Sequence, residues 1–146
     1  MPRIQLDLPE EFLFATEIPV RVSDINYGGH VGHDSILTLM HEARLHFYRH
    51  AGFRDEMSLE GSVGQIVADA ALVYKSESFL GDVLVIEIAV EYVSKYGFDM
   101  LYRISNKMSG KEVARGKTGI VCFDYAIKKV ARVPASVHEK LLKKHS

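Results

Sequence analysis

The chain has 146 residues, 47% of them hydrophobic, and a net charge of −1 with its histidines neutral. That size fits one core-bearing domain over residues 1–146, since two would leave each half too small to bury enough apolar surface. The near-zero charge gives no chain-wide pull toward nucleic acid, and the single Cys122 excludes an intramolecular disulfide or a multi-thiolate metal site within one chain.

No run of about 18 apolar residues occurs, and the N-terminus lacks the apolar stretch of a signal peptide. The sequence therefore reads as a soluble cytoplasmic protein with no membrane partner. Cys122, in Gly119-Ile-Val-Cys-Phe123, reads as a small buried hydrophobe in a strand.

Residues 12–22 alternate around Ile18, Val20 and Val22, as a strand does. Pro19 cannot donate to a ladder, so it argues for an edge or a bulge. A polar loop follows. From about Ser35 to Ala51 the period becomes helical. Ile36, Leu39, Met40, Ala43, Phe47 and Ala51 share a face that Leu37 and Tyr48 widen. Gly52 is placed to stop this helix. Arg44, and at the margin His41 and His50, intrude on the apolar side and need partners wherever they are buried.

Residues 53–62 suggest a short irregular turn of helix. Strand patterns then run near 64–75, 82–94, 98–107 and 112–125. Between the last three of them, Tyr96-Gly97 and Met108-Ser-Gly-Lys111 make turns tight enough for antiparallel hairpins. Pro134 opens a closing helix through about residue 143, and the lysines from 140 to 144 read as its solvated end. One strand, one long helix, four strands and a short helix give an α+β fold. Its mostly antiparallel sheet, long enough to curl, would wrap the long helix.

The densest chemistry lies between the first strand and the long helix. Residues 23–34 hold three glycines, two histidines, two aspartates and an asparagine. Ser23-Asp-Ile-Asn-x-Gly-Gly-His-Val31, followed by a helix bearing Leu39-Met-His-Glu-Ala-Arg44, resembles the hotdog-fold thioesterases. The likeness is to their 4-hydroxybenzoyl-CoA thioesterase and acyl-CoA thioester hydrolase branch. Val73-Tyr74 closing a strand, and Gly81-Asp82 before an aliphatic one, agree with that layout. The resemblance implies a hotdog fold of about five strands, assembly into homodimers or homotetramers, and hydrolysis of coenzyme A or acyl-carrier-protein thioesters. It implies no metal and no redox cofactor.

It also implies a division of labour. The backbone amides at the helix start would hold the thioester oxygen, with Gly28, Gly29 and Gly32 letting the substrate approach the backbone. At Asn26 the pattern departs from the benzoyl-CoA branch, which carries an aspartate there. An amide is neither nucleophile nor base, so Asn26 would orient a water or donate to the thioester, unless it only forms an Asx-turn. The carboxylate must then come from Asp34, otherwise a helix N-cap, or from Glu42, otherwise a solvated residue facing His46. His33, ranked first, or His30 would handle protons, imidazole having an ordinary pKa near 6.5. Asp24 reads as a loop-holding group. Ser23 and Ser35 lack a nucleophile setting. Lys95 would face the coenzyme A phosphates, with Lys128, Lys129 and Arg132 assisting. An acyl-CoA binder without turnover, and a hotdog hydratase or dehydratase, are the alternatives.

Overall fold

The structure, a computed structural model, describes residues 2–142. Its elements are β1 (Phe14–Pro19), α1 (His33–His50), β2 (Val63–Tyr74), β3 (Val83–Glu91), β4 (Gly97–Asn106), β5 (Glu112–Asp124), β6 (Lys129–Val130) and α2 (Ala135–Lys140), with a 3-10 turn over Val22–Asp24. The strands form one antiparallel sheet ordered β1-β3-β4-β5-β2, and β6 pairs with the end of β5. The expected α+β arrangement of one long helix against a curved antiparallel sheet is what the chain adopts.

Pro19 is the last residue of β1 and pairs with Val83 at the end of the sheet order, so its missing N–H costs no ladder bond. The 18 residues of α1 rise about 27 Å. Its buried face of Ile36, Leu39, Met40, Ala43, Phe47 and Tyr48 meets Leu84, Ile86, Ile88, Met100 and Ile104 in one core. Leu37, counted to that face from the sequence, is 42% exposed. Helix and sheet approach closely where Gly116 faces Met40: a Cβ there would stand 2.6 Å from Met40 Cε. Gly52, at φ +99°, takes the left-handed turn that ends α1.

A polar network crosses this core. Arg44, 5% exposed, donates to Glu56 Oε2 at 3.0 Å and to Tyr102 Oη at 3.2 Å. Gln65 donates to the same Glu56 oxygen and accepts from the buried Tyr48 hydroxyl. His41, on the exposed rim, reaches Glu56 Oε1 at 2.8 Å. The partners that Arg44 and His41 need thus come largely from one carboxylate in the loop after the helix. His50 is exposed and lies against the Phe14 ring.

Three expectations are corrected. The first strand covers only Phe14–Pro19, and Val22, expected to alternate with Ile18 and Val20, is exposed in the 3-10 turn, where the chain bends toward the loop. Residues 53–62 contain no helix. Asp55 Oδ1 instead accepts from the amides of Met57 and Ser58, a local bond that competes with helical pairing. The long helix begins at His33 instead of Ser35. The closing helix has Pro134 as its N-cap and runs over Ala135–Lys140. Residues 143 and 144 of the expected helix and lysine-rich end lie outside the described residues. Among the described residues no helix is long and apolar enough to cross a membrane.

Residues 2–13 are not regular. They cross the outer face of the sheet, where Arg115 donates to the Leu6 carbonyl and Arg103 lies over the Phe12 ring.

Candidate active site at the start of the long helix

Asp24 builds the entrance to α1. It is 3% exposed. Its carboxylate accepts from the Arg21 amide at 2.8 Å and from the Arg21 guanidinium at 3.2 and 3.3 Å. Its carbonyl accepts from the Gly32 amide at 3.0 Å. This is the loop-holding role read from the sequence, and it closes residues 25–31 into a compact lobe.

Inside the lobe, Asn26 Oδ1 accepts from the Gly28 amide at 3.0 Å, an Asx-turn. Its backbone amide donates to the His30 carbonyl at 2.8 Å, and its side-chain Nδ2 has no acceptor among the described residues and is left to donate. Gly29, at φ +81°, completes the turn.

Gly32 is the N-cap of α1, and no side chain caps the helix. The first bond into it runs from the Ile36 amide to the Gly32 carbonyl at 3.2 Å. The amides of His33, Asp34 and Ser35 therefore have no acceptor among the described residues, and they point out of the helix end with its positive dipole. Asp34 is the second helical residue, so its reading as the N-cap is overturned. Its side chain folds back instead: a Cβ on Gly32 would stand 2.7 Å from Asp34 Oδ1 and 3.9 Å from Asn26 Cβ. Asn26, Gly32 and Asp34 meet there, beside three open amides.

The other candidates are spread more widely. His30 pairs in backbone with Phe79, stacks edge-on against that ring, and has Nδ1 3.4 Å from Glu77 Oε1. His33 is exposed, and its carbonyl accepts from Tyr74 Oη at 3.4 Å. Partial burial, with the Asp34 charge adding to it, raises the Tyr74 phenol above the ordinary tyrosine value. Glu42 lies eight residues on, about 12 Å along the axis, with 3.5 Å to Arg21 Nη1 and 3.8 Å to His46 Nε2. The single chain does not bring Glu42 to the helix start.

Nor does it bring Lys95 there. Lys95 precedes Gly97, which pairs with Val121, which pairs with Ile66. That point lies eight residues along β2 from Tyr74, about 26 Å away. Lys95 Nζ sits 5.3 Å over its neighbour's ring, Tyr96. Cys122 is buried within β5, where desolvation pushes its thiol up to about 11, so no nucleophile arises there. Among the described residues no three His, Cys, Asp or Glu side chains stand together as a metal site.

Beneath His30 opens a cavity of about 330 Å³, walled by Val31, Ile36, Val113, Tyr74 and Ser78. No signal in the sequence singles out Tyr74, Glu77 or Ser78 as site residues. Val73-Tyr74 reads only as the end of a strand, Glu77 and Ser78 follow it without a local motif, and the fold carries all three residues to His30.

The chain matches the family model described as the thioesterase-like superfamily over residues 20–141. It is 30% identical over 142 residues to a Synechocystis sp. protein bearing an esterase name, sll0410, covering 95% of this chain and 84% of that one. Among solved structures it is similar to Slr0204, a 1,4-dihydroxy-2-naphthoyl-CoA thioesterase from Synechocystis. That match has a TM-score of 0.82 at 22% identity and covers 91% of this chain and 98% of the other. It is also similar to a thioesterase from Thermus thermophilus complexed with coenzyme A and Zn. There the TM-score is 0.77 at 19% identity, over 91% and 100% of the two chains. At these identities the structural likenesses speak for the fold.

Proposed function

We propose, from the premise that the chain belongs to the thioesterase-like superfamily and has the hotdog fold, that it hydrolyses acyl thioesters of coenzyme A or of an acyl carrier protein. One observation carries this reading: the uncapped start of α1 puts three amides without acceptors next to the folded-back carboxylate of Asp34.

The thioester carbonyl oxygen lies against the amides of residues 33–35, with Asn26 Nδ2 as a further donor. Asp34 takes a proton from water as the water oxygen bonds to the carbonyl carbon. The amides hold the negative charge on the tetrahedral oxygen. Collapse of that intermediate breaks the C–S bond, and the thiolate leaves with a proton returned from the site. His30 is the better placed of the two histidines to supply it, because it lines the cavity and has Glu77 beside Nδ1. This reverses the order the sequence suggested. The 12 Å separation argues against Glu42 as the base within one chain.

Beyond the single chain, we infer a homodimer through β2. It is the last strand in the sheet order, twelve residues long, with Ile66 and Val67 exposed. A long apolar edge of this kind invites pairing. Antiparallel pairing of two such edges would carry the Lys95 end of one chain toward the helix start of the other, where coenzyme A phosphates need cations.

The test is a panel of acyl-CoA thioesters with a thiol reagent. Free coenzyme A release supports hydrolysis. Saturable binding without release would make the protein an acyl-CoA binder. An absorbance change with an enoyl-CoA but no free thiol would make it a hydratase.

A further inference from the structure

The free edge of β2 is shorter than the strand. At its first residues the loop after α1 takes the outward backbone groups. The Gln65 amide donates to the Glu56 carbonyl at 2.8 Å and the Val63 amide to the Glu60 carbonyl at 3.0 Å. The Val63 carbonyl accepts from the Leu59 and Glu60 amides at 2.8 and 3.1 Å. The Glu56 carboxylate, bonded by Arg44 and Gln65, anchors that loop. From Ile66 to the end of β2 at Tyr74, no strand pairs on this side among the described residues. Natural sheets often guard such an edge with lysine or proline. The stretch Ile66-Val-Ala-Asp-Ala-Ala-Leu-Val-Tyr74 has neither, and residues 66–70 are exposed. Its one charge, Asp69, bonds Lys117 and the Gly119 amide of its own sheet.

We propose that a second copy of this chain pairs antiparallel along Ile66–Tyr74 with the two-fold axis at Ala70, the loop at Glu56 being the stop that sets this register. This rests on the homodimer reading above and fixes its geometry. Ala70 is the midpoint of the free stretch. Alanine meets alanine at the axis, and Asp69 faces the partner's Ala71. An axis one residue earlier sets two Asp69 carboxylates directly opposite each other, which repels. It also runs Tyr74 into the partner's residues 63–65, whose outward groups are taken. An axis one residue later leaves Ile66 beyond the end of the partner's strand. The register has a consequence for the site. The partner's Ile66 comes opposite the Val73–Tyr74 end of β2. Ile66 pairs with Val121, and Val121 with Gly97. The partner's Gly97 then stands three strand spacings from that end, about 14 Å, against about 26 Å within one chain. The nearer Lys95 is therefore the one from the second copy.

The experiment reads assembly without any substrate. Wild type should sediment as a dimer, or as a tetramer of two. Ala70→Cys under a mild oxidant should run almost wholly as a covalent dimer on a non-reducing gel. Residues paired directly across an antiparallel ladder lie about 4.5–5.5 Å apart, within disulfide reach. Ile66→Cys and Val73→Cys, each about 20 Å or more from its own copy, should stay unlinked, and the buried Cys122 adds no background. Ala70→Lys sets like charges face to face and should sediment at half the wild-type mass. Ala70 is exposed in the single chain, so both variants should fold. No link at Ala70, an equal link at either control, or an Ala70→Lys protein of full mass overturns the register. A monomeric wild type removes the homodimer reading and this proposal with it, and leaves hydrolysis at the helix start standing.

Discussion

A methyl group on Gly32 would stand 2.7 Å from Asp34 Oδ1, so the bare N-cap is what allows the carboxylate to fold back over the helix start. The atom it would strike ends a flexible side chain, and Gly32, at φ −72°, has a backbone that alanine adopts freely. Gly32→Ala should therefore cost only about 0.5–1 kcal/mol of stability, the ordinary loss at an N-cap. Displacing Asp34 should lower kcat by about tenfold or more. Thermal unfolding and steady-state kinetics on one preparation separate the two effects. An unchanged kcat would detach Asp34's position from catalysis.

Glu56 serves Arg44, Gln65 and His41 at once. Glu56→Ala leaves the Arg44 guanidinium buried with Tyr102 Oη as its remaining neutral partner. Stranding a buried charge costs about 3 kcal/mol or more, which in a chain of this size lowers Tm by about 6–12 °C. The double variant Arg44→Met with Glu56→Leu removes the stranded charge and should regain part of the loss. Calorimetry on the three proteins checks this.

Cys122 is fully buried and its thiol is pushed up to about 11 by desolvation. A thiol reagent should leave the folded protein unlabelled over minutes and titrate one equivalent once guanidinium unfolds it. Fast labelling of native protein would mean that β5 opens readily at that position.

Two hydrogen bonds from the Arg115 guanidinium, at 2.6 and 2.7 Å, hold the Glu112 carboxyl below the usual range. The folded pKa thus lies under the unfolded one, about 4.3 for glutamate. The resulting stability is complete above the unfolded value and disappears as pH falls through the depressed one. Glu112→Gln should flatten the acid side of the Tm-against-pH curve from about pH 4.3 downward. If the two curves stay parallel there, the pair contributes nothing to acid stability.

Most of the fold is legible in the sequence because the elements carry strong periodicity. Val83–Ile88 alternates buried with half-buried residues, and α1 repeats its apolar face over five turns. Pro19 at an edge and Gly52 as a stop follow from backbone chemistry alone. The helix starts two residues before its periodicity indicates because Gly32 gives no side-chain signal as a cap. Residues 53–62 read as a helical turn because their composition is mixed, while Asp55 binds the nearby amides in a way that composition does not announce. Within the site, Asp24, Asn26 and Asp34 belong to one short segment, so a local reading finds them. Glu77, Ser78 and Tyr74 reach it from about 40 residues away or more, through strand pairing and lobe contacts. No spacing rule records that kind of proximity. Glu42 and Lys95 enter by resemblance, and the single chain keeps both at a distance.

The most direct test of Asp34 as the base is the rate of coenzyme A release by Asp34→Asn beside Glu42→Gln, each with the acyl-CoA that wild type cleaves fastest. Asparagine keeps the shape at the helix start and removes the base. Base catalysis by Asp34 predicts a loss of about a hundredfold or more in kcat for Asp34→Asn, with Glu42→Gln within about threefold of wild type. A fully active Asp34→Asn, or a loss confined to Glu42→Gln, would contradict it.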